Sequence, residues 1–295
     1  MSVIAAACNP VGIDSRGLSP EARDLPIFSG CFHELRRKLW GRDMCTDEAW
    51  ISVAFFARGG HSKQVPTTLP RIVPNECRVV LVDEAGATPK KSNGWRVVKV
   101  HPCFPREAER SAHFIKTVLP LLLPHTRRIF YGDAKCQRRN GSYPIEELRT
   151  ALGQDGSVDV VAVKHELGAS KTVADEFNAT VRVMRQRHMP QAVFEDISVH
   201  RQWLASQPNY RMDQTSTVND AFCLAWARTP AARVFSCQWS LEVALLSMRE
   251  QLSFDHARPA NLRVAWLAKR FTSHPAGDIK EFDELEAAAL APVGV

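Results

Sequence analysis

None of the eight cysteines sits in a Cys-x-x-Cys pair, so the spacing of a structural zinc site is missing. No apolar run reaches the ~18–20 residues of a membrane-spanning helix. The first eight residues form a small apolar patch without a basic flank, and Asn9-Pro10 cuts it short, which does not read as a signal peptide. Neither a Gly-x-Ser-x-Gly elbow nor a His-Glu-x-x-His zinc motif occurs, and these absences remove the common hydrolase signatures. There is no internal repeat. Lys and Arg are scattered rather than blocked, and no basic run is interleaved with aromatics. The net charge of +6 therefore suits an anionic ligand, a nucleotide diphosphate or an acidic glycan, without calling for nucleic acid.

What is present is an ordinary globular composition, 45% apolar over 295 residues, enough for one large domain or two small ones. An even count of cysteines permits disulfides. Several lie in apolar company, where free thiols are also common, so cysteine usage leaves the redox compartment open. Residues 1–44 are punctuated by Pro10, Gly12, Gly17, Pro20 and Pro26 and read as an irregular N-terminal extension with one short helix over 31–40. The core runs over 45–260, and 261–295 reads as a polar, then Ala-rich and acidic, C-terminal extension.

Within that core, apolar runs at 50–57, 77–83, 95–101, 127–133, 158–163 and 221–227 predict strands. The run at 77–83 is continuous enough for a buried parallel strand. Helices are predicted over 107–123, broken or kinked near Pro120, over 144–152, over 170–188 with Ser170 as N-cap, and over 233–248. The stretch 191–210 has no clear period. Strands alternating with helices predict an α/β fold with a mostly parallel sheet.

In such sheets ligands bind beyond the carboxyl ends of the strands. The 127–140 stretch is central for that reason. Ile129, Phe130 and Tyr131 end at Gly132-Asp133, and Lys135, Arg138 and Arg139 follow at once. A carboxylate there is placed for metal binding or chemistry, and the cations for a phosphate. Gly59 and Gly60 after the first strand allow a tight turn beside a ligand.

Several separated motifs, over roughly residues 50–258, resemble a family of glycosyltransferase-like domains from plant mucilage- and turgor-related proteins and bacterial relatives. They are the Leu-Pro-His segment followed by Tyr131-Gly132-Asp133-Ala134-Lys135, the Gly94-Trp95 strand, and His165 with Asp175-Glu176. Trp239-x-x-Glu242 and Arg249-Glu250-Gln251-Leu252-Ser253-Phe254 complete the set. Three departures stand out. His61-Ser62 replace Tyr-Asp after the Gly-Gly turn, Glu250 replaces Asp, and Tyr131 stands where Trp is common.

The resemblance implies a single GT-A-like domain, an α/β sandwich in which a mixed, mostly parallel sheet is flanked by helices. It implies a transferase, of the kind used in polysaccharide biosynthesis, that moves a sugar from a nucleotide-sugar donor to a glycan or other hydroxyl acceptor. Asp133 and Glu250 are then the catalytic candidates, Glu250 as general base toward the acceptor. Gly59, Gly60, Lys135, Arg138, His165, Arg249 and Gln251 are the donor-binding candidates. Asp133 is the candidate ligand of Mn or Mg, and a metal-free arrangement in which Lys135, Arg138 and Arg139 hold the diphosphate fits equally. The same resemblance leaves open a non-catalytic binding protein and a ceramide-type amide hydrolase. It also leaves both the Golgi lumen and the cytoplasm open as locations.

Overall fold

The computed structural model describes residues 26–39, 45–54, 77–84, 95–104, 107–133, 136, 143–164, 172–214 and 219–267. In chain order the elements are α1 (Pro26–Leu39), β1 (Glu48–Ala54), β2 (Arg78–Asp83), β3 (Arg96–Val100), α2 (Ala108–Leu122), β4 (Arg128–Gly132), α3 (Ile145–Leu152) and β5 (Val160–Lys164). They continue with α4 (Val173–Gln186), α5 (Gln191–Ser206), β6 (Asn219–Ala227), α6 (Pro230–Leu245), α7 (Glu250–Phe254) and β7 (Val264–Leu267). Seven strands form one sheet in the order β3-β2-β1-β4-β6-β5-β7. Strand β6 runs antiparallel to both its neighbours, and the other pairings are parallel. The fold is the expected mixed α/β sandwich in a single domain.

Period-2 alternation explains how one strand serves two cores. Ile51, Val79, Leu81, Ile129, Tyr131, Leu224 and Trp226 point to the face covered by α1, α2 and α6. Trp50, Val80, Val82, Phe130, Cys223 and Ala225 point to the other face, where Leu148 and Leu152 of α3 pack with Tyr143. A third cluster joins Val173, Phe177 and Met184 of α4 to Ile197 and Leu204 of α5 and to Met248 and Leu252.

Several local expectations are refined. The N-cap of α4 is Thr172, whose hydroxyl accepts from the Asp175 N–H while the Asp175 carboxylate accepts from the Thr172 N–H, a reciprocal capping box. Ser170 lies outside the described residues. Helix α2 runs through Pro120 and stops two residues later, so the proline marks the last turn rather than an earlier break. The aperiodic 191–210 stretch contains the 16-residue helix α5. Strand β7 falls where no strand was read. It is fastened by Asp159, which accepts from the Arg263 backbone N–H at 2.9 Å, from Nε at 3.0 Å and from Nη2 at 2.9 Å.

The cysteines among the described residues are disulfide-bonded. Cys31–Cys103, Cys45–Cys77 and Cys136–Cys223 are disulfides with Cα–Cα separations of 5.2, 5.7 and 5.3 Å, and Cys237 is also disulfide-bonded. The first ties α1, whose Phe32, Leu35 and Leu39 are buried in the main core, to the segment leaving β3. Part of the N-terminal extension is thus packed against the domain.

Candidate active site

Strand β1 lies between β2 and β4, and the chain reverses its direction across the sheet there. The carboxyl ends of β1 and β4 therefore flank a topological switch point, the crevice where open α/β sheets bind ligands. Asp133 follows the last residue of β4. Its backbone is held from both sides: its N–H donates to the Phe222 carbonyl at 3.0 Å, and its carbonyl accepts from the Cys136 N–H at 3.0 Å. The Cys136–Cys223 disulfide closes the same turn covalently onto β6.

Gly132 is required by packing. A Cβ there would meet Trp50 Cζ2 at 2.6 Å, Tyr143 Cε1 at 2.9 Å and Cys136 Sγ at 3.1 Å. Trp50 and Tyr143 are themselves tilted against each other with ring centroids 4.8 Å apart, in a close-packed core.

Behind this turn lies a buried charge network. Lys116 of α2 is 2% exposed; its ammonium donates to the Glu250 carboxylate and, at 3.1 Å, to the Ala221 carbonyl near the start of β6. The same ammonium sits 5.7 Å from the centre of the Tyr131 ring, a cation–π distance. On the other side of Glu250, His113 Nδ1 lies 2.8 Å from Oε2 and also donates to the Met248 carbonyl. Trp239 donates its indole N–H to the Glu250 carbonyl at 2.7 Å, which joins the two signature motifs physically.

The electrostatics follow from this packing. Burial alone would push the Glu250 carboxyl up, but His113 and Lys116 outweigh it and hold the group well below the ordinary carboxylate range. Burial pushes the Tyr131 phenol well above its usual value, and Asp133, Glu250 and Tyr143 push it further. Asp133 and Glu250 thus act on the same buried tyrosine, one from the strand end and one from α7.

The expected site residues separate into two groups. Asp133, Arg249, Glu250 and Gln251 are described, and Gly59, Gly60, Lys135, Arg138 and His165 lie outside the described residues. Arg249 is the N-cap residue of α7 and reaches Glu176 at 3.6 Å. Gln251 is buried in the first turn of α7. Lys116 and His113 were not singled out from the sequence. The available signal was weak: two titratable residues three apart on α2, in a helix whose neighbouring positions Phe114, Ile115 and Val118 are core.

Among the described residues, one group of three side chains could hold a metal ion: Glu34, Glu84 and His101. It does not include Asp133, and the Lys38 ammonium already sits 2.6 Å from Glu34 and 3.4 Å from Glu84. Asp133 brings a single carboxylate to the β4 end, fewer protein oxygens than a hard cation takes without help from substrate phosphates and water. No helix among the described residues is long and apolar enough to cross a membrane.

This strand order, with its one antiparallel strand and with the signature acids at the carboxyl edge, defines a GT-A-like domain. The family model for TOD1/MUCI70, glycosyltransferase-like domain, matches residues 73–275, and the chain belongs to that family. Comparison with curated proteins found no match.

Proposed function

We propose that the chain is a glycosyltransferase that moves a sugar from a nucleotide-sugar donor to a hydroxyl of a glycan or other acceptor. The observation that carries this reading is the position of Asp133, anchored by backbone and disulfide at the carboxyl end of β4 beside the β1/β4 switch point. In this reading the donor diphosphate lies over that end of the sheet. Asp133 faces it as the acidic group, with Lys135 and Arg138 following in sequence as its counter-charges, and Glu250 belongs to the acceptor side. Mn or Mg, when bound, supplies charge neutralisation for the departing diphosphate, with Asp133 as its protein ligand.

A serine hydrolase finds less support. Ser247 and Ser253 both hydrogen-bond His200, at 2.9 and 3.3 Å, but all three side chains are fully buried, which presents no nucleophile to an amide substrate.

Calorimetric titration with UDP and GDP, with and without Mn, tests the reading. Saturable binding that needs Mn and is lost in Asp133→Ala is the expected result for the metal-assisted form. Binding without metal that is lost in Lys135→Ala selects the cationic cradle. Failure to bind any of a broad nucleotide panel would retire the transferase reading in favour of a non-catalytic member of the family.

A further inference from the structure

Glu250 is poorly placed to take a proton from a substrate. Its side chain is 6% exposed, Lys116 occupies one oxygen, and His113 lies at the other. Charges this close lower its basicity as well as its access. The histidine has the complementary arrangement. His113 Nδ1 faces two groups, the Met248 carbonyl and the Glu250 carboxylate, and neither has a hydrogen to donate. Nδ1 must therefore carry the ring hydrogen, and in the neutral imidazole this leaves the lone pair on Nε2. Among the described residues nothing pairs with Nε2, and the His113 side chain is 15% exposed whereas Glu250 is sealed. The other charged groups acting on Glu250 are Lys116 of α2 and Arg249 at the start of α7, and Arg249 in turn reaches Glu176 of α4 at 3.6 Å and acts on Arg187 at the end of that helix.

We infer that His113, not Glu250, is the base that receives the acceptor's proton, and that Glu250 is a positioning residue that, together with the Met248 carbonyl, fixes the histidine's tautomer and orientation. The inference rests on the glycosyl-transfer reading. As the acceptor oxygen bonds to the donor's anomeric carbon, its hydrogen passes to His113 Nε2. The bond from that carbon to the diphosphate oxygen breaks, and its electron pair leaves with the nucleoside diphosphate. The resulting imidazolium lies against the Glu250 carboxylate, which stabilises it, and later returns the proton to water. A buried carboxylate behind a histidine does the same in hydrolytic triads.

Two measurements test this. The first needs no substrate. In protein labelled with nitrogen-15 at histidine, NMR reports which ring nitrogen bears the hydrogen. The expected result is a single His113 tautomer with the hydrogen on Nδ1 in the wild type, and a shifted Nδ1–H resonance in Glu250→Gln, where the Met248 carbonyl still holds that tautomer. A wild-type His113 with its hydrogen on Nε2, or an Nδ1–H resonance indifferent to E250Q, would overturn the dyad.

The second is turnover on UDP- and GDP-sugars, read as release of UDP or GDP. His113→Gln is expected to lower kcat about 10²–10⁴-fold with donor KM nearly unchanged. E250Q, which leaves the base in place, is expected to lose less. Retained turnover in a folded H113Q protein, or a larger loss in E250Q than in H113Q, returns the base role to Glu250. His113→Asn serves as the second variant should H113Q fail to fold, as judged by circular dichroism. Wild-type protein that binds no nucleotide refutes the transferase reading itself, and the tautomer measurement still decides whether the dyad exists.

Discussion

Cys223 lies opposite Gly132 in the β4–β6 register and is bonded to Cys136, three residues beyond Asp133. The residue that follows the candidate acid by three is thereby closed covalently onto β6, the one antiparallel strand among the described residues. Replacing both cysteines by alanine is expected to lower stability by about 2–4 kcal/mol. Nucleotide affinity should fall as well, because Asp133 loses its tether. Equilibrium urea unfolding and the UDP/GDP titration check the two effects separately. Full nucleotide affinity in the folded double variant would show that the backbone bonds to Phe222 and Cys136 suffice.

The disulfides also predict where the chain folds well. Paired cysteines persist in oxidising compartments and are rare in reducing ones. Peptide mapping without reductant should recover Cys31–Cys103, Cys45–Cys77 and Cys136–Cys223 linkages, with higher yield from periplasmic or secretory expression than from a reducing cytosol. Three sets of free thiols in active protein would contradict the assignment.

Gly132→Ala forces a methyl group into Trp50, Tyr143 and the Cys136 sulfur. Overpacking of this kind costs about 1–3 kcal/mol, and the displacement falls on the residue next to Asp133. Thermal unfolding should register the loss, and a variant as stable as wild type would mean that the Trp50 and Tyr143 rings can shift after all.

Lys116→Met removes the ammonium that pairs with a sealed carboxylate. Breaking a buried ion pair from one side costs about 3–5 kcal/mol. The Lys116→Met, Glu250→Gln double variant should recover part of it, and a double-mutant cycle by urea unfolding measures the coupling. The pH dependence follows from the depressed Glu250 pKa. The carboxylate contributes stability above its unfolded value, about 4.3, and that contribution is lost as pH falls toward the folded value. Wild type should therefore lose stability more steeply than E250Q below about pH 4.3.

His200 supplies a second pH dependence of different origin. Burial, with a smaller push from His256, lowers its pKa from 6.5 to about 3. The unfolded chain binds the proton first, so stability is complete above the unfolded value and drains away as pH falls from about 6.5 toward the folded pKa near 3. His200→Gln should flatten the stability profile between those limits, at the cost of the bonds to Ser247 and Ser253. A profile as steep as wild type would place the proton uptake elsewhere.

Much of the fold was legible in the chain. Apolar runs bounded by polar ends located β1 to β6: a strand buried on both faces, such as β2, carries charge only at its tips, whereas the edge strand β3 keeps Arg96 and Lys99 exposed. The strand-end position of Asp133 followed from Ile129–Tyr131 giving way to Gly-Asp, and the separated motifs pointed to the family that residues 73–275 match. Two elements were hidden for identifiable reasons. The four residues of β7 are each only partly buried, and their place in the sheet depends on Arg263 finding Asp159, a pairing across 104 residues. Helix α5 buries only Ile197, His200 and Leu204, too few positions to impose a period.

The sequence by itself determined which residues could form strands, where those strands end, and which acid stands at the end of β4, since these depend on local composition and the two-residue period. Only the tertiary structure decided what packs against the strand behind that acid. Lys116 and Glu250 are 134 residues apart and His113 and Met248 are 135 apart. Such pairings are set by how α2 and α7 pack onto β4 and β6, and no local pattern encodes a partner at that distance. The same holds for Cys136 and Cys223, whose bond depends on β6 running antiparallel beside β4.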